Sequence, residues 1–166
     1  MVAPTPTSIT LRPIEPNDNP GVAKVIRTVM PEFGADGPGF AIHDPEVNSM
    51  YESYRGAGHR FYVLVAGDRV VGCGGYAPLA GGEAGVCELK KMYFLPECRG
   101  QGLGRRLIEH LIEEARTAGY QRMYLETLKS MTAAKALYEK IGFRPLCAPL
   151  GKTGHFGCDT WYARDL

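Results

Sequence analysis

CELKKMYFLPECRGQGLG, residues Cys87–Gly104, is the stretch on which the fold turns. Val86–Leu95 has the length and apolar content of a strand, Pro96 opens a turn, and glycines at 100, 102 and 104 lead straight into an apolar-periodic segment. The order is strand, turn, glycine-rich loop, helix. A helix entered this way leaves backbone N–H groups unpaired at its positive dipole end. Such a place binds phosphate. Arg99–Gly104 fits the pattern R/Q-x-x-G-x-G/A, which chance produces at roughly one position in a thousand. Its position between a strand and an amphipathic helix gives it weight. Glycine there lets the backbone approach a pyrophosphate with no Cβ in the way. Arg105 and Arg106 follow in the first helical turn, where a cation opposes the dipole unless an anion is bound. The dinucleotide fingerprint G-x-G-x-x-G fits poorly, because the glycine spacing differs and several strands come first.

Outward from that stretch, Leu103–Ala118 is the clearest helix. Leu103, Leu107, Ile108, Leu111, Ile112 and Ala115 form one apolar stripe, and Gly119 sits where a left-handed C-terminal residue belongs. Gln121–Thr127 reads as a strand, and Thr132 caps a shorter helix ending at Gly142. Phe143–Cys147 and Asp159–Ala163 read as final strands around a glycine-rich loop. On the N-terminal side, Arg60–Ala66 and Arg69–Pro78 make a hairpin across Gly67-Asp68, with Gly72, Gly74 and Gly75 marking a bulge. Ile9–Ile14 is a first strand and Gly21–Met30 a first helix. A second helix runs from the Asp44-Pro45-Glu46 start to about Arg55, after a Pro31–His43 loop. The element order β-α-α-β-β-β-α-β-α-β-β predicts an α/β domain with a mixed, largely antiparallel central sheet flanked by helices. Residues 9–166 form one domain behind a flexible tail, 1–8.

Composition narrows the function. The 166 residues are 45% hydrophobic and 22% charged, with a formal net charge of +1. That is an ordinary globular balance, and it lacks the basic surface that nucleic acid requires. The five cysteines, an odd count without C-x-x-C pairs, read as reduced packed thiols. His43, His59, His110 and His155 are isolated in sequence and show no metal-ligand spacing. MVAPTPTS has no signal-peptide pattern, and no apolar run reaches the ~20 residues of a membrane span. A cytoplasmic location, monomeric or homodimeric, is the expectation.

Two blocks resemble the GNAT acetyltransferase superfamily. One is Glu88–Pro96 (ELKKMYFLP) followed by Arg99–Gly104. The other is Tyr124–Thr127 (YLET) followed by Ala136–Phe143 (ALYEKIGF). The resemblance implies an acetyl-CoA-binding half over residues 87–143. In it the backbone of Met92, Tyr93 and Phe94 pairs with the pantetheine arm as an added strand. The amides of Arg99, Gly100, Gln101, Gly102, Leu103 and Gly104 hold the pyrophosphate. Tyr138 sits near the sulfur as general acid. Met131 stands where many family members carry an Asn that contacts the pantetheine.

The chemistry is then acetyl transfer to an amine, which must lose a proton before it attacks a thioester. Glu88 is the base position that the resemblance favours, and Glu126 on the neighbouring strand is the alternative. A bulge in either strand would invert which side chain faces the cleft. A backbone N–H near Met92–Phe94 would stabilise the oxyanion. On Thr132–Gly142, Ala133, Leu137 and Ile141 make the core face, which places Tyr138 at an edge. Phe33, Tyr54 and His155, with the aromatic cluster Phe40, His43 and Tyr51, are candidates for the acceptor pocket. The expected activity is an N-acetyltransferase using acetyl-CoA and a primary amine of a small molecule or peptide, by direct attack in a ternary complex. The alternative is a non-catalytic acyl-CoA-binding or sensing domain.

Overall fold

A computed structural model describes residues 7–166. Met1–Pro6, most of the expected tail, lie outside the described residues, and Thr7 and Ser8 carry no regular structure. The chain order is β1 (Ile9–Pro13), α1 (Asn19–Val29), α2 (Met50–Ser53), β2 (Arg60–Ala66), β3 (Arg69–Pro78), β4 (Val86–Phe94), α3 (Leu103–Thr117), β5 (Arg122–Thr127), α4 (Thr132–Lys140), β6 (Arg144–Leu146) and β7 (Thr160–Asp165). One seven-stranded sheet runs β1-β2-β3-β4-β5-β7-β6. Every neighbouring pair is antiparallel except β4–β5, which is parallel. This is the mixed, helix-flanked sheet that the element order predicts.

The apolar stripes do the assembly. Leu107, Ile108, Leu111, Ile112 and Ala115 of α3 are all buried. The four larger ones each contribute about 1.5–3 kcal/mol relative to exposure. Val22, Val25, Ile26 and Val29 do the same for α1, which packs on β3 and β4. The glycines of β3 make close approach possible: a Cβ on Gly75 would lie 2.2 Å from the Arg60 carbonyl oxygen.

Two features of β4 set up everything that follows. It pairs with β5 only through Val86, Cys87 and Glu88, so the strands part beyond that point. Its register with β3 then slips: Gly75 faces Lys90 and Cys73 faces Tyr93, so Lys91 and Met92 together oppose Gly74. Lys91 has a positive φ of 53°, the one non-glycine among the described residues to do so. This is a β-bulge, which re-aims side chains.

Two local expectations need correction. The helix expected from Pro45 to Arg55 is broken at Ser49, whose φ and ψ of −142° and 47° are not helical. Pro45–Asn48 is a 3-10 turn and α2 is a single turn. Val47 and Met50 are both fully buried there. The broken form anchors these two in the core and leaves Asp44 and Glu46 free to reach β4. Asn19 ties α2 to α1 by accepting from the Tyr51 amide and donating to Glu52, both at 2.8 Å. The second correction is at α4. Thr132 is its first helical residue rather than its cap, and the capping position is Met131, which makes no side-chain cap bond.

Candidate active site

Beyond the bulge, β4 and the loop to α3 line a largely apolar cleft of about 490 Å³. Met92, Tyr93 and Phe94 of β4, Arg99, Gly100, Gly102, Leu103 and Gly104 of the loop, and Met131 and Leu137 at α4 form its walls. Gly100 and Gly102 have φ of 76° and 75°, a conformation that costs other residues roughly 1–2 kcal/mol. The left-handed turns leave the amides of Gly100–Arg105, six in a row, with no hydrogen-bond partner among the described residues. The Leu95 amide donates to the Val71 carbonyl on β3. Strand alternation therefore directs the Phe94 N–H to the other edge, where β5 has departed. Free amides at a helix N-terminus and an unpaired strand edge suit a phosphate joined to an amide-bearing arm, so the residues present fit CoA.

The side chains of this loop are otherwise engaged. Arg99 Nε donates to the Phe94 carbonyl at 2.9 Å, its Nη1 pairs with Glu32 at 3.0 Å, and its guanidinium lies over the Phe33 ring. Arg105 pairs with Glu109 one turn on at 2.8 Å. The Gln101 side chain turns back to the Glu97 carbonyl, and Gln101 does not line the cleft. Phe33, expected at the acceptor pocket, lines this cleft instead. The reason is the 3-10 turn Met30–Phe33, which carries the chain from α1 towards the glycine loop.

Before the bulge, β4 faces a second cavity of about 450 Å³ lined by Asp44, Glu46, Ser49, Ser53, Glu88, Lys90, Thr153 and His155. Its charges are linked in a chain. Lys90 Nζ lies 3.3 Å from Glu46. Lys91, with its side chain 1% exposed, binds Glu46 and, at 2.8 Å, Asp44. Neighbouring strand residues ordinarily point to opposite faces, yet the bulge turns both lysines onto Glu46. Asp44 also accepts from His155 Nε2 at 2.9 Å, and His155 Nδ1 is 3.6 Å from Glu126. Hydrogen bonds to Asp44 and Glu126 outweigh burial and raise His155 to about 9. Burial raises Asp44, but His155 and Lys91 bring it down to about 2.

The two candidate bases differ sharply. Glu126 accepts from Thr153 Oγ1 and, at 2.7 Å, from the Tyr124 hydroxyl. Burial alone would raise it, but its bonds from His155, Thr153 and Tyr124 hold it below the ordinary glutamate value. Glu88 is 5% exposed, and its carboxylate makes no hydrogen bond or ion pair among the described residues. Burial raises it to about 7, with Glu126 adding to the rise and Lys90, His155 and Lys91 opposing it. The bulge follows Glu88, so the regular alternation that aims it at the cavity is intact.

Tyr138 does not lie at an edge. It is buried and packs on Phe143 and Tyr162, whereas Ala133, assigned to the core face, is exposed. Short α4 is rotated so that Tyr138 and Ile141 reach the core while Ala133 and Leu137 line the cleft. The Tyr138 hydroxyl has no hydrogen-bond partner among the described residues, and burial raises its pKa. Tyr54 is also buried. It donates to Glu46 at 3.3 Å and presents its ring to Lys90, so it supports the second cavity without lining it. His155 lines that cavity as expected. Phe40 packs at Gly157, beside the His155 loop, while His43 and Tyr51 engage Asp36 and Arg55 away from it.

Asp44, Glu46, Lys90, Lys91, Tyr124 and Thr153 were not singled out by sequence. One signal was available: two adjacent lysines in an otherwise apolar strand need buried partners. Another grouping was hidden by separation, since Glu88, Glu126 and His155 place potential metal-ligand atoms within 4.8 Å of one another. Both ring nitrogens of His155 face carboxylates, Nε2 at 2.9 Å from Asp44 and Nδ1 at 3.6 Å from Glu126, and these neighbours favour its protonated form.

The sheet is splayed beside an amide-lined cleft, and a charged cavity lies across the bulge. The sequence model of the Acetyltransferase (GNAT) family matches residues 25–143, and the chain belongs to that family. Over 162 residues, 97% of each chain, it is 43% identical to a protein of Escherichia coli K12 named as an uncharacterised N-acetyltransferase, YjgM. It is 41% identical over 100 residues to the IAA acetyltransferase of Azospirillum brasilense, covering 60% of this chain and 61% of that one. Its fold is shared with an acetyltransferase structure from Streptococcus agalactiae 2603 at a TM-score of 0.81 and 19% identity, covering 95% of this chain and 98% of that one. Among the described residues, no helix is long and apolar enough to cross a membrane.

Proposed function

We propose that the protein is an N-acetyltransferase that moves an acetyl group from acetyl-CoA to a primary amine of a small molecule or peptide, by direct attack in a ternary complex. One observation carries this reading: among the described residues, the cavity on one side of the β4 bulge holds a single unpartnered carboxylate, Glu88, and the loop at the cleft on the other side carries six unpartnered amides. The amides of Gly100–Arg105 hold the pyrophosphate, and the free edge of β4 at Met92–Phe94 orders the pantetheine arm. Acetyl-CoA supplies the acetyl group as an activated thioester. Glu88 takes a proton from the acceptor ammonium, its value near 7 suiting a base at neutral pH. The freed nitrogen bonds to the acetyl carbon and the carbon–sulfur bond breaks. The nitrogen sheds a second proton to solvent as the amide forms, and Tyr138, through its unbonded hydroxyl, supplies one to the leaving sulfur and is reprotonated from solvent. Glu126 keeps His155 and Thr153 in place.

The test is thiol release from acetyl-CoA in the presence of amino acids, peptides and polyamines. Turnover of any amine is expected. Binding of acetyl-CoA with no amine consumed would instead make the domain a binding module.

A further inference from the structure

The charges around the acceptor cavity nearly balance without a ligand. Lys90, Glu46, Lys91, Asp44, His155 and Glu126 form a chain of alternating sign, three cations and three carboxylates. Inside it, Glu46 lies between two lysines, and Asp44 lies between Lys91 and His155. Glu126 ends the chain and is completed by Thr153 and Tyr124. Among the described residues, two charged groups that line the cavity retain capacity. Glu88 has no partner. Lys90 ends the chain at the other side, and the one carboxylate it meets among the described residues, Glu46, is shared with Lys91. Its ammonium lies over the Tyr54 ring at 5.9 Å and its side chain is 20% exposed.

Glu88 and Lys90 are two residues apart on β4, ahead of the bulge, and both line the cavity. Their Cα atoms are therefore about 7 Å apart along one face of the strand. From this pairing we infer that the acceptor is a small zwitterion, a primary amine carrying its own carboxylate, with the amine on Glu88 and the carboxylate on Lys90. The inference rests on the acetyltransferase reading and narrows its acceptor. A buried charge must be paired, and a zwitterion brings one partner for each unfilled group. A polyamine brings a second ammonium to a cavity whose other carboxylates are already neutralised. A peptide N-terminus brings no carboxylate close to its amine. The cavity volume, about 450 Å³, is that of a small-molecule site.

The experiment measures thiol release from acetyl-CoA with the common amino acids, their carboxamides, their decarboxylated amines and spermidine. At least one amino acid should exceed its own carboxamide and amine in kcat/KM by about tenfold or more, the effect of one charge-assisted hydrogen bond. In Lys90→Met that ratio should fall towards one, while Lys90→Arg should keep most of it. A thermal shift with acetyl-CoA reports whether each variant folds, and the wild-type comparison decides the matter even if Lys90→Met does not. Equal or better turnover of the carboxamide, the amine or spermidine would overturn the zwitterion and leave the acetyltransferase standing. A ratio unchanged in a folded Lys90→Met would overturn the role of Lys90. No turnover of any amine would remove both readings.

Discussion

The two cavities on either side of Lys91 are built from different materials. The cleft after the bulge takes its unpartnered polar groups from one continuous segment, Met92–Arg105, as backbone amides, while Phe33 and α4 add apolar walls. The cavity before the bulge draws its charged side chains from three distant segments, Asp44–Glu46, Glu88–Lys90 and His155. A backbone site tolerates side-chain variation and depends on local φ and ψ. A side-chain site depends on which charges meet, and each charge there fixes its neighbour. In the proposed reaction the division gives one job to each side: the first would hold the constant ligand and the second would select and activate the variable one.

The largest effect that this division predicts is at Glu88. Glu88→Gln should lower kcat/KM by about 10²–10⁴, the range for loss of a general base, and leave acetyl-CoA affinity nearly unchanged. In the wild type kcat/KM should rise with pH through about 7, as the Glu88 carboxyl ionises. The variant should lose that limb. A parallel loss of acetyl-CoA binding, measured by calorimetry, would break the separation between the two sides.

Gly102→Ala probes the other side. A Cβ on Gly102 meets nothing within 4 Å, so the strain comes from its φ of 75° alone. A cost of roughly 1–2 kcal/mol in the left-handed state should weaken acetyl-CoA binding by about tenfold as the loop relaxes and its amides turn away. The pH limb set by Glu88 should stay where it is. A shift of that limb would show that the cleft and the cavity act as one unit.

How far each side could be read from sequence follows the same division. The glycine spacing of Arg99–Gly104 is local, and local spacing fixes backbone conformation, so the loop and the helix after it were legible. The hairpin β2–β3 was legible to the residue because alternation and a Gly-Asp turn sit side by side. The partners of Lys91 were not legible, because Asp44 is 47 residues away and also reads as a helix cap. Tyr138 was misplaced on α4 because a helix of nine residues facing both a cleft and a core has no single apolar stripe. Choosing between Glu88 and Glu126 required knowing where the bulge falls, and a positive φ at Lys91 leaves no mark in the sequence.

A smaller effect tests the charge chain through stability. The folded state holds His155 at about 9 against an ordinary 6.5. A group raised in this way contributes stability that is complete below about pH 6.5 and is lost as pH rises towards 9. Asp44, lowered from 3.8 to about 2, works in the opposite sense, so its contribution is present above about pH 4 and fades on acidification towards 2. Across the alkaline window Asp44 and Glu126 face the imidazole as carboxylates, Glu88, raised to about 7, ionises over its lower end, and Lys91 lies behind Asp44. Tm should therefore decline between pH 6.5 and 9. His155→Gln keeps a donor towards Asp44 but carries no titrating charge, so its Tm should be lower at pH 6.5 and nearly flat to 9. A slope identical to that of the wild type would assign the decline to other groups.

The smallest effect belongs to Met131, where the family resemblance leads one to expect Asn. Met131 lines the apolar cleft half-buried, and its sulfur accepts from Thr127 Oγ1 at 3.5 Å. Met131→Asn would exchange apolar contact and a weak sulfur hydrogen bond for an amide that can reach a polar ligand. A neutral hydrogen bond adds about 0.5–1.5 kcal/mol, while each buried methylene lost removes ~0.8 kcal/mol. The two nearly cancel, and acetyl-CoA affinity by calorimetry should change by less than about fivefold in either direction. A gain well beyond that would mean that one side-chain contact rivals the six amides, and the cleft would no longer be a site made chiefly of backbone.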